Sequence, residues 1–287
     1  MSTTQIEIAD AKTRLETDLN SLIELRPLPE IAMRILKTCQ QENANVISLV
    51  KLVECDAAVS SRVLAFVNTS MFGYSREVSS INQAVVVLGM KQLSQLAVSV
   101  ATESVFSEGE NAMDARARLY QHSLGCATIG GLLANITGSA VDSSEAFLAG
   151  MLHDIGKLVL LDVAPNGYTE LQTQYAGNCP VDIEQQVFGI DHAMLGSKLG
   201  RIWGLPAQVN HAIASHHCQL EPSRDSLVSI TALANELAKH WGVGQDASET
   251  CCGVTLRWLE STGFDESKAL EIEALENFEE LKSLLAT

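Results

Sequence analysis

The chain has 287 residues and a formal charge of −16, from 19 Lys and Arg against 35 Asp and Glu. So acidic a surface repels phosphate backbones and anionic lipid, and no run of Lys and Arg hides a basic face, which argues against nucleic acid and membranes as partners. A 46% apolar share supports a sizeable core, while only 6 Pro and 5% aromatics, in a background of Ala, Leu, Val, Glu and Gln, favour helices over a sandwich or barrel.

Residues 1–8 read as a flexible leader without the basic start and apolar core of a signal peptide. A first helix is expected from Asp10 to Leu25, with Leu15, Leu19, Leu22 and Ile23 on one face, stopped by Arg26-Pro-Leu-Pro29. Helices should follow around Ile31, Ile35 and Leu36, over Val46–Cys55, and over Ala57–Thr69 with Asp56 as its cap. Asn68 to Glu77 reads as a loop. Ile81–Leu88 and Lys91–Phe106 read as two helices broken at Gly89. The polar stretch Ser107-Glu-Gly-Glu-Asn-Ala places a boundary between two helical subdomains, 9–112 and 113–287.

The second half opens with a helix from Asp114 to Ile136, followed by a loop at Gly138. Asp142 and Glu145 are spaced as a capping box before an apolar run, Ala146 to Leu161, taken as one helix. Pro165-Asn-Gly167 breaks the chain. Helices are expected over Tyr168–Tyr175, Val181–Phe188 ending at Gly189, His192–Trp203 capped by Asp191, Ala207–His217 and Asp225–Trp241. From Asp265 onward Leu275, Phe278, Leu281 and Leu285 share one face and Glu271, Glu273, Glu276, Glu279 and Glu280 another. Such a helix suits its own chain or a second copy, so a homo-oligomer is among the expectations. No apolar run reaches the ~20 uninterrupted residues of a membrane span. Seven Cys, an odd number without C-x-x-C, indicate reduced thiols and a cytoplasmic protein. Cys251-Cys252 leaves a redox sensor as a third reading.

The apolar run holds His153-Asp154, and a carboxylate beside an imidazole in such surroundings is costly to desolvate unless a metal or a tight partner pairs with it. His122, His192, His216, His217 and Asn235 are expected to converge on that pair. A lone helical His is ordinarily a surface or satisfied core residue, and His211 and His240 are read that way. Imidazole with carboxylate suits zinc, iron, manganese or nickel better than calcium. In a two-metal site Asp154 would bridge the ions. Lys157, one turn after Asp154, is placed to take a phosphate oxygen if the site is active.

His122-Ser123, Leu152-His153-Asp154-Ile-Gly-Lys157, Gly189-Ile-Asp-His192-Ala-Met-Leu-Gly196, Trp203-Gly-Leu-Pro206 and His216-His217 resemble the HD superfamily, and more narrowly its HDOD branch. Leu28 to Leu36, Asp56 to Leu64, Asn68 to Gly73 and Ile81 to Gly89 are similar to that branch's opening, so the resemblance covers roughly residues 15 to 245. It implies an all-α fold and a role in bacterial signal output through protein contacts. The neighbouring HD-GYP branch hydrolyses cyclic di-GMP at a two- or three-metal site. Its ligands, carried over by position, fall on His122, His153, Asp154, His192, His216 and His217. Three departures follow. Asn235 stands where the superfamily has a late Asp, and a neutral amide brings no charge to hold a dication. Arg118 stands where HD-GYP proteins can offer a Glu, and a fixed cation repels a third metal. Cys218-Gln-Leu-Glu-Pro222 lacks the Gly-Tyr-Pro element. The leading expectation is a cytoplasmic output module that binds a signalling protein and keeps a degenerate site able to hold a divalent metal. The alternative is a metal-dependent phosphohydrolase acting on a nucleotide or cyclic dinucleotide.

Overall fold

Among the described residues four prolines stand at helix starts. Pro29, Pro180 and Pro206 are N-caps and Pro165 is the first residue of its helix, where the missing amide hydrogen costs nothing and the fixed φ suits the first turn. Side-chain caps do the same work elsewhere. Asn45 accepts from Ser48, Asp56 from Val59, Ser80 from Gln83 and Asp191 from Met194. At the other ends Gly189, Gly204 and Gly242 take positive φ (78°, 70° and 70°) and stop their helices.

The computed structural model describes residues 3–19, 22, 27–41, 44–69, 74, 76–107, 112–136, 140–175, 180–218, 226–243 and 267–285. Among these residues the regular elements are all helices: α1 (Thr3–Thr17), α2 (Glu30–Gln40), α3 (Val46–Glu54), α4 (Ala57–Val67), α5 (Ile81–Ala101), α6 (Glu103–Ser107), α7 (Met113–Ile136), α8 (Ser143–Leu152), α9 (Gly156–Val163), α10 (Pro165–Gln174), α11 (Val181–Phe188), α12 (His192–Trp203), α13 (Ala207–Ser215), α14 (Leu227–Trp241) and α15 (Ser267–Leu285). The all-α expectation holds. The expected loops at 70–73, 138 and 219–223, most of the boundary at 107–112, and Cys251-Cys252 lie outside the described residues.

The backbone leaves helical geometry at Gly89 (φ 80°), where a break was expected; several helix ends differ from the sequence reading, among them α10 starting at Pro165 ahead of Tyr168, and two departures matter most for the packing. α1 begins at Thr3, ahead of the expected start at Asp10, and the supposed leader forms its first turns. The reason is tertiary. Glu7 accepts a hydrogen bond of 2.6 Å from the Gly167 amide, and α1 packs on α10 and α11. The second departure is central. His153 and Asp154 do not lie within one helix, because α8 ends at Leu152 and α9 starts at Gly156. Through this turn the amides of Ile155, Lys157 and Leu158 bond three residues back instead of four, which tightens the backbone. The tightening lets α9 tuck against α12. A Cβ on Gly156 would sit 2.0 Å from the His192 carbonyl oxygen, so only glycine permits this approach.

α7 and α8 form the centre, with α14 lying across both and α13 against α8 and α14. α5 packs on α8 and joins the first half of the chain to the second. Lys91 reaches buried Glu145 at 3.0 Å, Gln92 reaches Asp142 at 2.7 Å, and the Phe66 and Phe147 rings meet edge to face at 5.4 Å. One cluster of buried apolar residues runs from Ala11 to Leu281 through both halves. α15 packs on α7 and α4 of its own chain through Leu270, Ala274, Phe278 and Leu281, leaving Glu273, Glu276, Glu279 and Glu280 in solvent. The stretch Ile81–Phe106 is long and apolar enough to cross a membrane, but 67% of its most apolar window is buried inside the fold.

Candidate metal centre

Four segments deliver the six expected ligands. His122 comes from the middle of α7, His153 and Asp154 from the α8–α9 turn, His192 from the first residue of α12, and His216 and His217 from the end of α13. The structure brings them together. Asp154 is 1% exposed, His122 6%, His153 0%, His192 0% and His216 3%, whereas His217 lies at the solvent edge. Asp154 Oδ1 is 3.1 Å from His192 Nε2 and 3.6 Å from His216 Nε2. Oδ2 is 3.4 Å from His153 Nε2, 3.6 Å from His122 Nε2 and 2.7 Å from Lys157 Nζ. His192 Nε2 also lies 3.4 Å from His216 Nε2 and 3.0 Å from His217 Nε2. His211, left out of the cluster on sequence grounds, is exposed on α13.

The far sides of the rings decide what this cluster can hold. His153 Nδ1 meets the Gly150 carbonyl at 2.7 Å, His216 Nδ1 the Ile213 carbonyl at 2.8 Å, and His192 Nδ1 the Glu184 carboxylate at 2.6 Å. Carbonyl and carboxylate oxygens only accept, so each Nδ1 carries a hydrogen and each Nε2 is turned inward toward Asp154. Facing lone pairs and a carboxylate repel unless a positive charge lies among them. His153 Nε2 and Asp154 Oδ1 are buried without a hydrogen-bond partner, a cost that persists in a native fold only for a reason. A divalent ion answers this pattern, and the donors suit one.

Electrostatics point the same way. Burial pushes the Asp154 carboxyl up, but His153, Lys157 and His192 together hold it well below the usual carboxylate range. Burial pushes His122 well down and His216 down to about 4, so both are neutral near pH 7 and able to coordinate. Burial opposes charge on His192 too, but Glu184 and Asp154 outweigh it and raise its pKa. For Lys157 the Asp154 carboxylate outweighs burial and keeps the ammonium charged.

Two residues escaped the sequence reading. Glu184, 0% exposed, accepts from His192 Nδ1, from the His192 amide at 2.8 Å and from the Tyr168 hydroxyl at 2.7 Å. It is the carboxylate behind a ligating histidine, which fixes the ring and makes it more basic. Its signal was the spacing Glu184–Phe188, one turn apart on the buried face of α11. Cys126, one turn after His122, has its Sγ 3.5 Å from His122 Nε2. Burial pushes its thiol well up, so in the metal-free state it stays protonated.

The donors fall into two groups, each with its ligand atoms within 4.8 Å of one another: Asp154, His192, His216 and His217, and His122, Cys126 and His153. Each Asp154 oxygen faces one group. Asn235 is 3% exposed on α14, with an Oδ1 that has no hydrogen-bond partner. Arg118 is exposed one turn before His122. The expected phosphate-binding Lys157 is held by Asp154 in a setting where its side chain is 14% exposed.

Comparison with known proteins agrees with this geometry. Residues 25–219 match the HDOD domain family. An uncharacterised protein of Treponema pallidum is 26% identical over 235 residues, 80% of this chain and 45% of its own length. The cyclic di-GMP phosphodiesterase CdgJ of Vibrio cholerae is 33% identical over 129 residues, 45% of this chain and 28% of its own length. The chain thus spans less than half the length of these curated relatives. Among solved structures, a candidate phosphohydrolase from Shewanella amazonensis SB2B superposes with a TM-score of 0.67 at 23% identity, covering 93% of this chain and 97% of the other. An HDOD domain protein of unknown function from Geobacter sulfurreducens gives 0.64 at 22%, covering 94% and 97%. At those identities the likeness is one of fold, and the matched residues carry the assignment: the chain belongs to the HDOD domain family.

Proposed function

We propose that the chain is a bacterial, cytoplasmic signal-output module that acts by binding another protein, with the Asp154 pocket holding a divalent ion as part of the folded structure. One observation carries this reading: the donors are almost wholly enclosed by the protein, with His217 alone of the six at the solvent edge. Five of the six expected ligands are at most 6% exposed, and the Lys157 ammonium already sits on Asp154 Oδ2. A structural metal site is filled by protein donors, whereas a hydrolytic one keeps an open position for water and substrate. His192, His216 and Asp154 would hold the ion, with His217 closing the solvent side. The bound ion would supply the positive charge that the facing lone pairs lack. Zinc, iron, manganese and nickel all accept such donors.

A second reading, a metal-dependent phosphohydrolase acting on a nucleotide or cyclic dinucleotide, draws support from His217, whose exposure leaves one side of the centre within reach of solvent. The CdgJ name suits it as well. Metal analysis of the purified protein, followed by a phosphodiesterase and nucleotidase panel with manganese, iron or nickel added, separates the two. Bound metal without turnover supports the output module. Turnover that disappears in His153→Ala overturns it.

A further inference from the structure

The six expected ligands leave one buried thiol without a role. Cys126 follows His122 by four residues on α7, so both side chains project from one face a single turn apart. Cys126 is 0% exposed, and its Sγ, a His122 nitrogen and a His153 nitrogen all lie within 4.8 Å of one another. The third member supplies an independent observation. His153 Nε2, in a side chain that is 0% exposed, has no hydrogen-bond partner, and it faces this group with its lone pair bare. A cysteine acting only as small apolar filler would leave that nitrogen unanswered.

We infer that Cys126 is a metal ligand, and that with His122 and His153 it binds a zinc ion on the Oδ2 side of Asp154. The inference rests on the reading of the pocket as a metal centre. Asp154 Oδ2, 3.4 Å from His153 Nε2 and 3.6 Å from His122 Nε2, is the fourth donor at hand. Charge explains why a thiol is needed. Lys157 already places a positive charge 2.7 Å from Oδ2, and a dication beside it meets repulsion that Asp154 alone does not offset. Asn235 brings no charge. A thiolate restores the missing anion from a different helix. On binding, the S–H bond breaks, the proton leaves to solvent and a Zn–S bond forms, with no change of oxidation state. Two imidazoles and a thiolate are a soft donor set, which selects zinc over manganese or magnesium.

The test uses the full chain, reduced, loaded with zinc or with cobalt(II) as a spectroscopic probe. Zinc-edge X-ray absorption should show a sulfur neighbour at about 2.3 Å, and the cobalt form a thiolate-to-metal charge-transfer band in the near ultraviolet. Both signals should vanish in Cys126→Ser and Cys126→Ala, with loss of one ion per chain and unchanged far-UV circular dichroism. Should those variants not fold, a protein with its other six cysteines changed to Ser gives the complementary result: the sulfur signals must persist in it. Bound ions with nitrogen and oxygen neighbours only would overturn the role of Cys126 and leave the metal centre standing. A wild-type chain that binds no ion would overturn both.

Discussion

Glu184→Gln isolates the charge behind His192 while keeping its shape. In the wild type, Oε2 accepts from His192 Nδ1 and the His192 amide, and Oε1 accepts from the Tyr168 hydroxyl. A glutamine can keep all three contacts: its oxygen faces His192, and its amide nitrogen donates to the Tyr168 hydroxyl, which can accept. Both His192 donors keep their acceptor, while the Tyr168 hydroxyl, which donated to the carboxylate, has to turn its hydrogen away from the amide, so the metal-free fold should lose less than it does in the alanine variant. What disappears is the negative charge that makes the ring a better donor. Loss of such a partner lowers metal affinity about 10- to 100-fold, or about 1.4–2.8 kcal/mol. Glu184→Ala differs in kind. It strands the His192 amide and His192 Nδ1, at about 1–3 kcal/mol for each buried group left unpaired, and should destabilise the metal-free protein as well. The assay is zinc affinity by competition with a chromophoric chelator, beside thermal unfolding in excess chelator. If Glu184→Gln binds zinc within about twofold of the wild type, Glu184 does not tune a ligand and the arrangement around His192 has been misread.

Four further outcomes are expected. Gly156→Ala forces a Cβ to 2.0 Å from the His192 carbonyl and 2.6 Å from the Gly196 amide; because both neighbours are backbone, the loss should reach at least the ~1–3 kcal/mol of ordinary overpacking, seen as a lower urea midpoint together with weaker metal binding. His216 is held at about 4, below the ordinary histidine value, so between those values the unfolded chain binds a proton that the native state refuses. The metal-free protein should therefore lose stability as pH falls from about 6.5 to 4, on the order of 3 kcal/mol; His192, whose pKa is raised, contributes in the opposite sense, with stability present below about 6.5 and lost as pH rises through its folded value. Urea melts at stepped pH in chelator read the net slope, and a flat profile would refute the account of His216. Asn235→Asp restores an acid at the superfamily's position and should raise divalent-ion affinity about tenfold while lowering the melting temperature of the chelated protein; unchanged affinity would show that position 235 does not address the centre. Finally, saturating zinc at 100 times its dissociation constant should stabilise the chain by about 2.7 kcal/mol, and a melting temperature indifferent to zinc would remove the structural role assigned to the ion.

Much was legible in the residues themselves because the signals are local. Asp56, Asp142 and Asp191 cap the helices they were expected to cap, and Gly189 and Gly204 end theirs, since capping depends on a side chain and backbone within a few residues of each other. The spacing of His122, His153-Asp154, His192 and His216-His217, read through a family resemblance, named the members of the cluster. Other features had no local signature. That His153-Asp154 sits in a turn between two helices depends on how closely Gly156 meets the backbone of α12, a contact between distant segments. The start of α1 at Thr3 depends on Gly167, far along the chain. Glu184 and Cys126 look in sequence like an ordinary helix acid and an ordinary buried thiol; only packing sets one against His192 Nδ1 and the other against His122. Chemistry at a site is set by which groups face one another and by the water excluded around them, and neither is a property of neighbours in the chain. Composition and periodicity determined that the chain is helical, and the family resemblance named which side chains should gather; the meeting of α7, α12, α13 and the α8–α9 turn decided that they do gather, with five of the six buried and His217 at the solvent edge.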